Sequence, residues 1–331
     1  MIKKIIIILA VFLAGCTSNK TLKHPLDKSK SKTVVLENGL KVYLLSDPSF
    51  NVSAASVSVE VGSLDNPDDR QGLAHFLEHM LFLGTEKYPD VDEYSSYLKT
   101  YGGYSNAYTA SDHTNYQFQV LPDGFEGALD RFSQFFISPL FTEEYTAREV
   151  NAVNSEHQKN MLNDNWRQFR ISSLFAKDGH PERKFGTGNL ETLGDITREE
   201  LIRFYKQHYS ANRMGVALLS THSLEEMESW CRQYFSSVKN RNLNRNKYDP
   251  NFLEKKETFR LIQIDPVKDV RNLNLLFICV IPSKILALAI HHAIYPAETL
   301  SYHGFSGAKS KFQDYSSLPN TREEYEILSG G

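Results

Sequence analysis

The stretch Gly72-Leu73-Ala74-His75-Phe76-Leu77-Glu78-His79-Met80-Leu81-Phe82-Leu83-Gly84-Thr85 decides how the rest of the chain is read. It is apolar almost throughout, and 72–83 reads as a buried helix. Residues four apart lie on one face of a helix. His75 and His79 therefore present two imidazoles to one point, as a zinc ion requires. Glu78 projects nearby, where a carboxylate can polarise a zinc-bound water and take its proton without ligating the metal. The spacing H-x-x-E-H is the inverted zincin motif. A pair of core histidines is the ordinary alternative. It fits less well, because two His and one Glu in a Leu/Phe/Met-rich helix are costly unless something pairs them.

A catalytic zinc needs a third protein ligand and an open fourth position. Thr142 is a good helix N-cap, and Glu143 and Glu144 suit the first turn of a helix running to about Met161. On that helix Glu149, Val153 and Glu156 fall at i, i+4 and i+7. Two carboxylates sharing a stripe with a valine suggest an inward-pointing polar site. A solvated acidic face is the alternative, and it suits Glu143 and Glu144 better.

Further out, 34–36, Asn38-Gly39 and 40–45 form a strand-turn-strand pattern, and 52–61 reads as another strand. A helix over 90–100 ends at Gly102-Gly103. Paired strands over 104–110 and 115–120 precede a helix over 124–137. Helices near 166–176, 197–208 and 223–236 come next, with a strand over 214–219. Helices and strands mix without strict alternation, so the fold class is α+β. The polar, basic stretch 237–258 reads as a linker, and 259–264 and 273–277 as strands opening a second domain.

At 331 residues the chain suffices for one large or two ordinary domains, and 41% hydrophobic with 23% charged residues is a globular composition. A net charge of −3 offers no basic field for nucleic acid. Lys3 and Lys4 precede an apolar run, 5–14, which suits a secretory signal and is too short to span a bilayer. It ends Leu13-Ala14-Gly15-Cys16, which resembles a bacterial lipobox with Cys16 as the lipidated residue. An ordinary cleaved signal or a short anchor is the alternative. Thr17, not Asp, comes after it, which favours an outer-membrane lipoprotein facing the periplasm. Segment 17–32 reads as a flexible tether. Cys231 and Cys279 read as buried thiols, not metal ligands, and whether they pair stays open. His180, His208, His291, His292 and His303 have no spacing partners and read as surface or packing residues.

The 72–85 stretch resembles the active-site helix of the pitrilysin/insulin-degrading-enzyme family of metallopeptidases. Lys87-Tyr88-Pro89, Ser105-Asn106-Ala107-Tyr108-Thr109, His113-Thr114-Asn115-Tyr116, 149–157, 163–167 and Phe185-Gly186-Thr187-Gly188-Asn189 match it too. The resemblance covers roughly 33–280. It implies a pitrilysin-type domain, a mixed sheet with helices packed on it, and a zinc-dependent endopeptidase that hydrolyses peptides through a zinc-activated water. It further implies that His75, His79 and Glu156 bind one Zn2+, that Glu78 is the general base, and that Glu149 orients a ligand. An extended peptide would add to a sheet edge at Asn106, Ala107 and Tyr108, with Phe82 and Tyr108 lining a pocket. Core packing is the alternative for Phe82, and capping a turn for Asn106.

The expected organisation is a signal peptide over 1–16, the tether over 17–32, the catalytic domain over 33–236, the linker over 237–258 and an incomplete second domain over 259–331. Members of the family carry four related domains in two halves that close around a peptide. Here the pattern departs after about Val280, and Tyr302-His303-Gly304-Phe305-Ser306-Gly307 is a loose echo of an expected Gly-His-Glu-Gly segment. A truncated or frame-shifted product is therefore expected. The alternative functions are a non-catalytic peptide- or zinc-binding fragment and a half-enzyme that needs a partner chain.

Overall fold

The structure is a computed structural model that describes residues 23–24, 26–249, 252 and 262–268. The chain divides after Val267, and all the strands and helices named below belong to its first part. Cys16, Cys279, His291, His292, His303, the 273–277 strand and most of the 259–264 strand lie outside the described residues. Residues 262–264, which are described, belong to no regular element.

The elements run in chain order: strands β1 (Lys30–Val35), β2 (Lys41–Ser46) and β3 (Ser53–Val59), and helices α1 (Leu73–Met80) and α2 (Glu93–Thr100). Then come β4 (Tyr104–Thr109), β5 (Thr114–Val120), α3 (Phe125–Gln134), α4 (Glu143–Met161) and α5 (Asp164–Ser173). A one-turn α6 (Leu190–Leu193), α7 (Arg198–His208), β6 (Met214–Ser220) and α8 (Leu224–Phe235) complete the series. The six strands form one mixed sheet in the order β1-β2-β6-β3-β5-β4. β2 and β6 run parallel, and every other neighbouring pair is antiparallel. The Asn38-Gly39 turn between β1 and β2 has Gly39 at φ 83, the left-handed region that glycine enters without strain.

Strict alternation puts one face of β3, β5 and β6 in the core. The helices cover that face: α1 lies against β4 and β5, α3 against β3 and β5, and α8 against β1 and β2. Phe118, Phe125, Phe132, Phe135 and Phe136 join Tyr94 in a largely edge-to-face aromatic cluster there. β4 is a sheet edge, with Tyr104, Asn106 and Tyr108 exposed and Ser105, Ala107 and Thr109 half-buried on the helix side.

Several expectations shift. β1 starts at Lys30, so the last three residues of the expected tether belong to the sheet. Thr142 occupies the N-cap of α4, but its side chain makes no capping hydrogen bond. The expected linker is no free tether as far as it is described. Asn212 Nδ2 donates to Leu243 O at 2.8 Å, Arg241 N to Ser210 Oγ at 2.8 Å, and Tyr248 OH to Asp65 Oδ1 at 2.7 Å. A polar stretch sewn onto a domain by such bonds has the same composition as one that floats free. His180 is buried, with its Nε2 3.0 Å from Asp249 O.

Candidate metal centre

The centre is built where α1, α4 and the loop before α6 meet. α1 starts at Gly72, whose φ is 92. A Cβ at that position would fall 2.3 Å from Gly188 Cα, so only glycine lets the 187–188 backbone lie against the helix start. Gly72 has no side chain to cap the helix. Buried Asn66 does so instead, its Oδ1 accepting from Ala74 N at 2.8 Å.

The close approach at Gly72 brings Thr187 O to 2.8 Å from His75 Nδ1. A carbonyl only accepts, so the ring must donate through Nδ1–H. His79 Nδ1 lies 2.8 Å from Glu149 Oε1, again an acceptor. In their neutral forms both rings therefore carry the lone pair on Nε2. Those two Nε2 atoms stand 3.3 Å apart. Glu156 Oε2 is 3.5 Å from His75 Nε2 and 3.7 Å from His79 Nε2. Tetrahedral zinc with ordinary Zn–N and Zn–O bonds separates its ligand atoms by about 3.4 Å. The triangle is thus already of the size a zinc ion needs. His75, His79 and Glu156 are the only such group among the described residues, and their side chains are 14%, 25% and 38% exposed.

Three lone-pair atoms at this spacing repel one another unless something positive sits among them. Burial alone would lower the pKa of His79, but its hydrogen bonds to Glu149 and Glu156 outweigh that and raise it to about 9. Glu156 is correspondingly held below the usual carboxylate range, chiefly by His79. Glu78, 6% exposed, shifts the other way: burial raises its pKa against the pull of His75 and of a hydrogen bond from Thr109.

The structure brings His75, His79, Glu156 and Glu149 together, with buried Glu78 on the same helix turn. Glu149 and Glu156 share a stripe of α4 with fully buried Val153, yet they serve different atoms of the histidines. Phe82 is half-buried and packs on Tyr94, Tyr116 and Phe135 in the core, the packing alternative. Tyr108 lies on the opposite face of the sheet from Ala107, its ring edge-on to His113. Asn106 and Ala107 lie on the edge strand β4. Sequence reasoning gave no role to Thr187, Asn66 or Thr109. Gly186-Thr187-Gly188 was a visible signal of a backbone approach, but not of what the backbone would touch.

Two measurements check this geometry. Glu149→Gln should weaken zinc binding about 10–100-fold, because His79 loses the carboxylate that fixes its tautomer; an unchanged dissociation constant would contradict it. Zinc binds neutral imidazole, so binding must expel the His79 proton wherever the metal-free protein carries it, below about pH 9. Affinity in chelator competition should therefore rise about tenfold per unit between pH 7 and 8 and level off above about 9. By the same linkage the proton stabilises the metal-free fold at and below the unfolded-state pKa near 6.5, and that stabilisation is lost as pH rises through about 9.

Comparisons with known proteins agree with this construction. The family model described as "Insulinase (Peptidase family M16)" matches residues 41–178, and "Peptidase M16 inactive domain" matches 195–312. The second match runs beyond the departure expected after about Val280. The insulin-degrading enzyme of Homo sapiens is 45% identical over 262 residues, which cover 77% of this chain and 26% of that enzyme. The A-factor-processing enzyme of Saccharomyces cerevisiae is 43% identical over 263 residues, 77% of this chain and 26% of that protein. The crystal structure of pitrilysin superposes with a TM-score of 0.68 at 35% identity, covering 72% of this chain and 26% of that one. The chain thus spans about a quarter of the length of these relatives. It belongs to the insulinase/pitrilysin (M16) family of zinc peptidases, as that family's N-terminal portion with the start of its second domain.

Proposed function

We propose that this chain carries the catalytic domain of a zinc-dependent endopeptidase that hydrolyses peptides and small unfolded polypeptides. One observation carries the reading: two histidine lone pairs and a carboxylate converge at zinc-ligand spacing, with a buried glutamate beside them. When bound there, zinc lowers the pKa of a coordinated water and polarises a substrate carbonyl. Glu78 takes the proton of the attacking water and passes it to the leaving amine as the C–N bond breaks. Its raised pKa suits it to hold that proton between the two transfers. Glu149 and Thr187 O keep the two imidazoles turned to the ligating tautomer.

The substrate side of the reading rests on β4. It has a sheet neighbour on one side only, so an extended peptide can add as a further strand. Asn106, Ala107 and Tyr108 lie along it, and Tyr108 is proposed to contact peptide side chains near the scissile bond. A second reading of the same site is a half-enzyme whose chamber is completed by a complementary chain. The description of the second matched domain as inactive agrees with chemistry confined to the first.

The Leu13-Ala14-Gly15-Cys16 motif supports a lipid anchor at Cys16, holding the domain to the outer membrane on its periplasmic side. Among the described residues no helix is long and apolar enough to cross a membrane.

Glu78→Gln should abolish peptide turnover and leave one zinc bound per chain; hydrolysis retained by that variant would refute the assignment. Cys16→Ser should move the protein from the membrane to the soluble fraction. A variant that stays with the membrane would rule out the lipid anchor.

A further inference from the structure

The carboxylate read as the base is gripped from outside its own helix. Thr109, the last residue of β4, donates from Oγ1 to Glu78 Oε2 at 2.6 Å. The direction of that bond is settled by its surroundings. Thr114 Oγ1 lies 3.4 Å from Thr109 Oγ1, but its single proton goes to Val61 O at 2.8 Å. Thr114 Oγ1 can then only accept from Thr109, and at 3.4 Å it competes poorly with the Glu78 oxygen at 2.6 Å, so Thr109 gives its proton to Glu78.

The hydroxyl is also held still. Thr109 pairs with Thr114 at the end of the β4–β5 ladder. The next residue is braced twice: Ala110 N donates to His113 O at 2.8 Å, and Ser63 N donates to Ala110 O at 2.9 Å. A Cβ on Gly62 would fall 2.4 Å from Ala110 O, so glycine there permits the brace. With the backbone fixed and χ1 stiffened by β-branching, the hydroxyl has a preset position. A hydroxyl can donate to a carboxylate and accept from a carboxylic acid, so it can hold Glu78 both with and without the shuttled proton.

We propose that Thr109 is a positioning residue that fixes the Glu78 carboxylate from the edge strand. The inference rests on the reading of Glu78 as general base. It makes β4 serve two purposes: the strand on which a peptide would lie also fixes the base relative to that peptide.

The test uses Thr109→Val, which keeps shape and loses the donor, and Thr109→Ser, which keeps the donor. Both are made in the 331-residue chain and loaded with zinc. Thr109→Val should bind one zinc with unchanged affinity and keep its KM, but lose about tenfold to a hundredfold in kcat. Thr109→Ser should recover most of that loss. A second readout needs no turnover. In thermal unfolding of the metal-free chain, Thr109→Val should lower Tm when Glu78 is present and not in a Glu78→Ala background. An equal Tm change in both backgrounds, or an unaltered kcat in an otherwise active enzyme, would overturn the proposal. If the wild-type chain turns over no peptide, the failure belongs to the peptidase reading of the lone chain, and the unfolding cycle decides the Thr109–Glu78 tie by itself.

Discussion

The centre depends on two hydrogen bonds that face away from it. His75 Nδ1 gives its proton to Thr187 O and His79 Nδ1 to Glu149 Oε1, both at 2.8 Å. Each acceptor fixes a tautomer, and the two tautomers together send both Nε2 lone pairs toward Glu156 Oε2. Much of the surrounding structure serves these bonds. Gly72 has no side chain, so the 187–188 loop can reach the helix. The buried Val153 sets the phase of α4 so that Glu149 and Glu156 meet different atoms of the same histidine.

The same layout sorts two carboxylates near the histidines by their environment. Glu156 is partly exposed and lies against histidines, which hold it ionised. Glu78 is buried in the floor between α1 and β4, where the charged form is penalised. Their surroundings thus shift the two acidic groups in opposite directions, Glu156 down and Glu78 up. The extension beyond α8 joins this assembly too. Tyr248 and Asn246 both donate to Asp65, and the next residue, Asn66, caps α1. The segment after α8 is thereby tied to the loop that starts α1.

Much of this was legible in the sequence wherever the signal sits in side chains at a fixed period. The i, i+4 histidines and the Glu149–Val153–Glu156 stripe follow from helix geometry. The strands follow from alternation, except that an edge strand such as β4 shows its polar face outward. Glu149 and Glu156 were equivalent by helix phase alone; only the family resemblance ranked them, and only distance shows that one meets Nδ1 and the other Nε2. The backbone carbonyl of Thr187 leaves no trace in a residue code. Thr109 lies 31 positions from Glu78, and a threonine in a strand looks like ordinary β-propensity. The four-residue α6 is too short to show a period. The strap after α8 carries the composition of a free linker because the same polar groups serve either role.

His75, His79 and Glu156 stand at zinc-ligand spacing, and their assignment as the zinc ligands is the central proposal. X-ray absorption spectroscopy at the zinc edge, on the protein loaded with one equivalent, is the decisive measurement. The expected shell holds two imidazole nitrogens at about 2.0–2.1 Å and light oxygen ligands at about 2.0–2.2 Å, with total coordination of about four or five. One histidine should be lost from the shell in His75→Ala and one oxygen in Glu156→Ala. A sulfur scatterer at about 2.3 Å, or a shell unchanged by either substitution, would place the zinc elsewhere and contradict a preformed site at these residues.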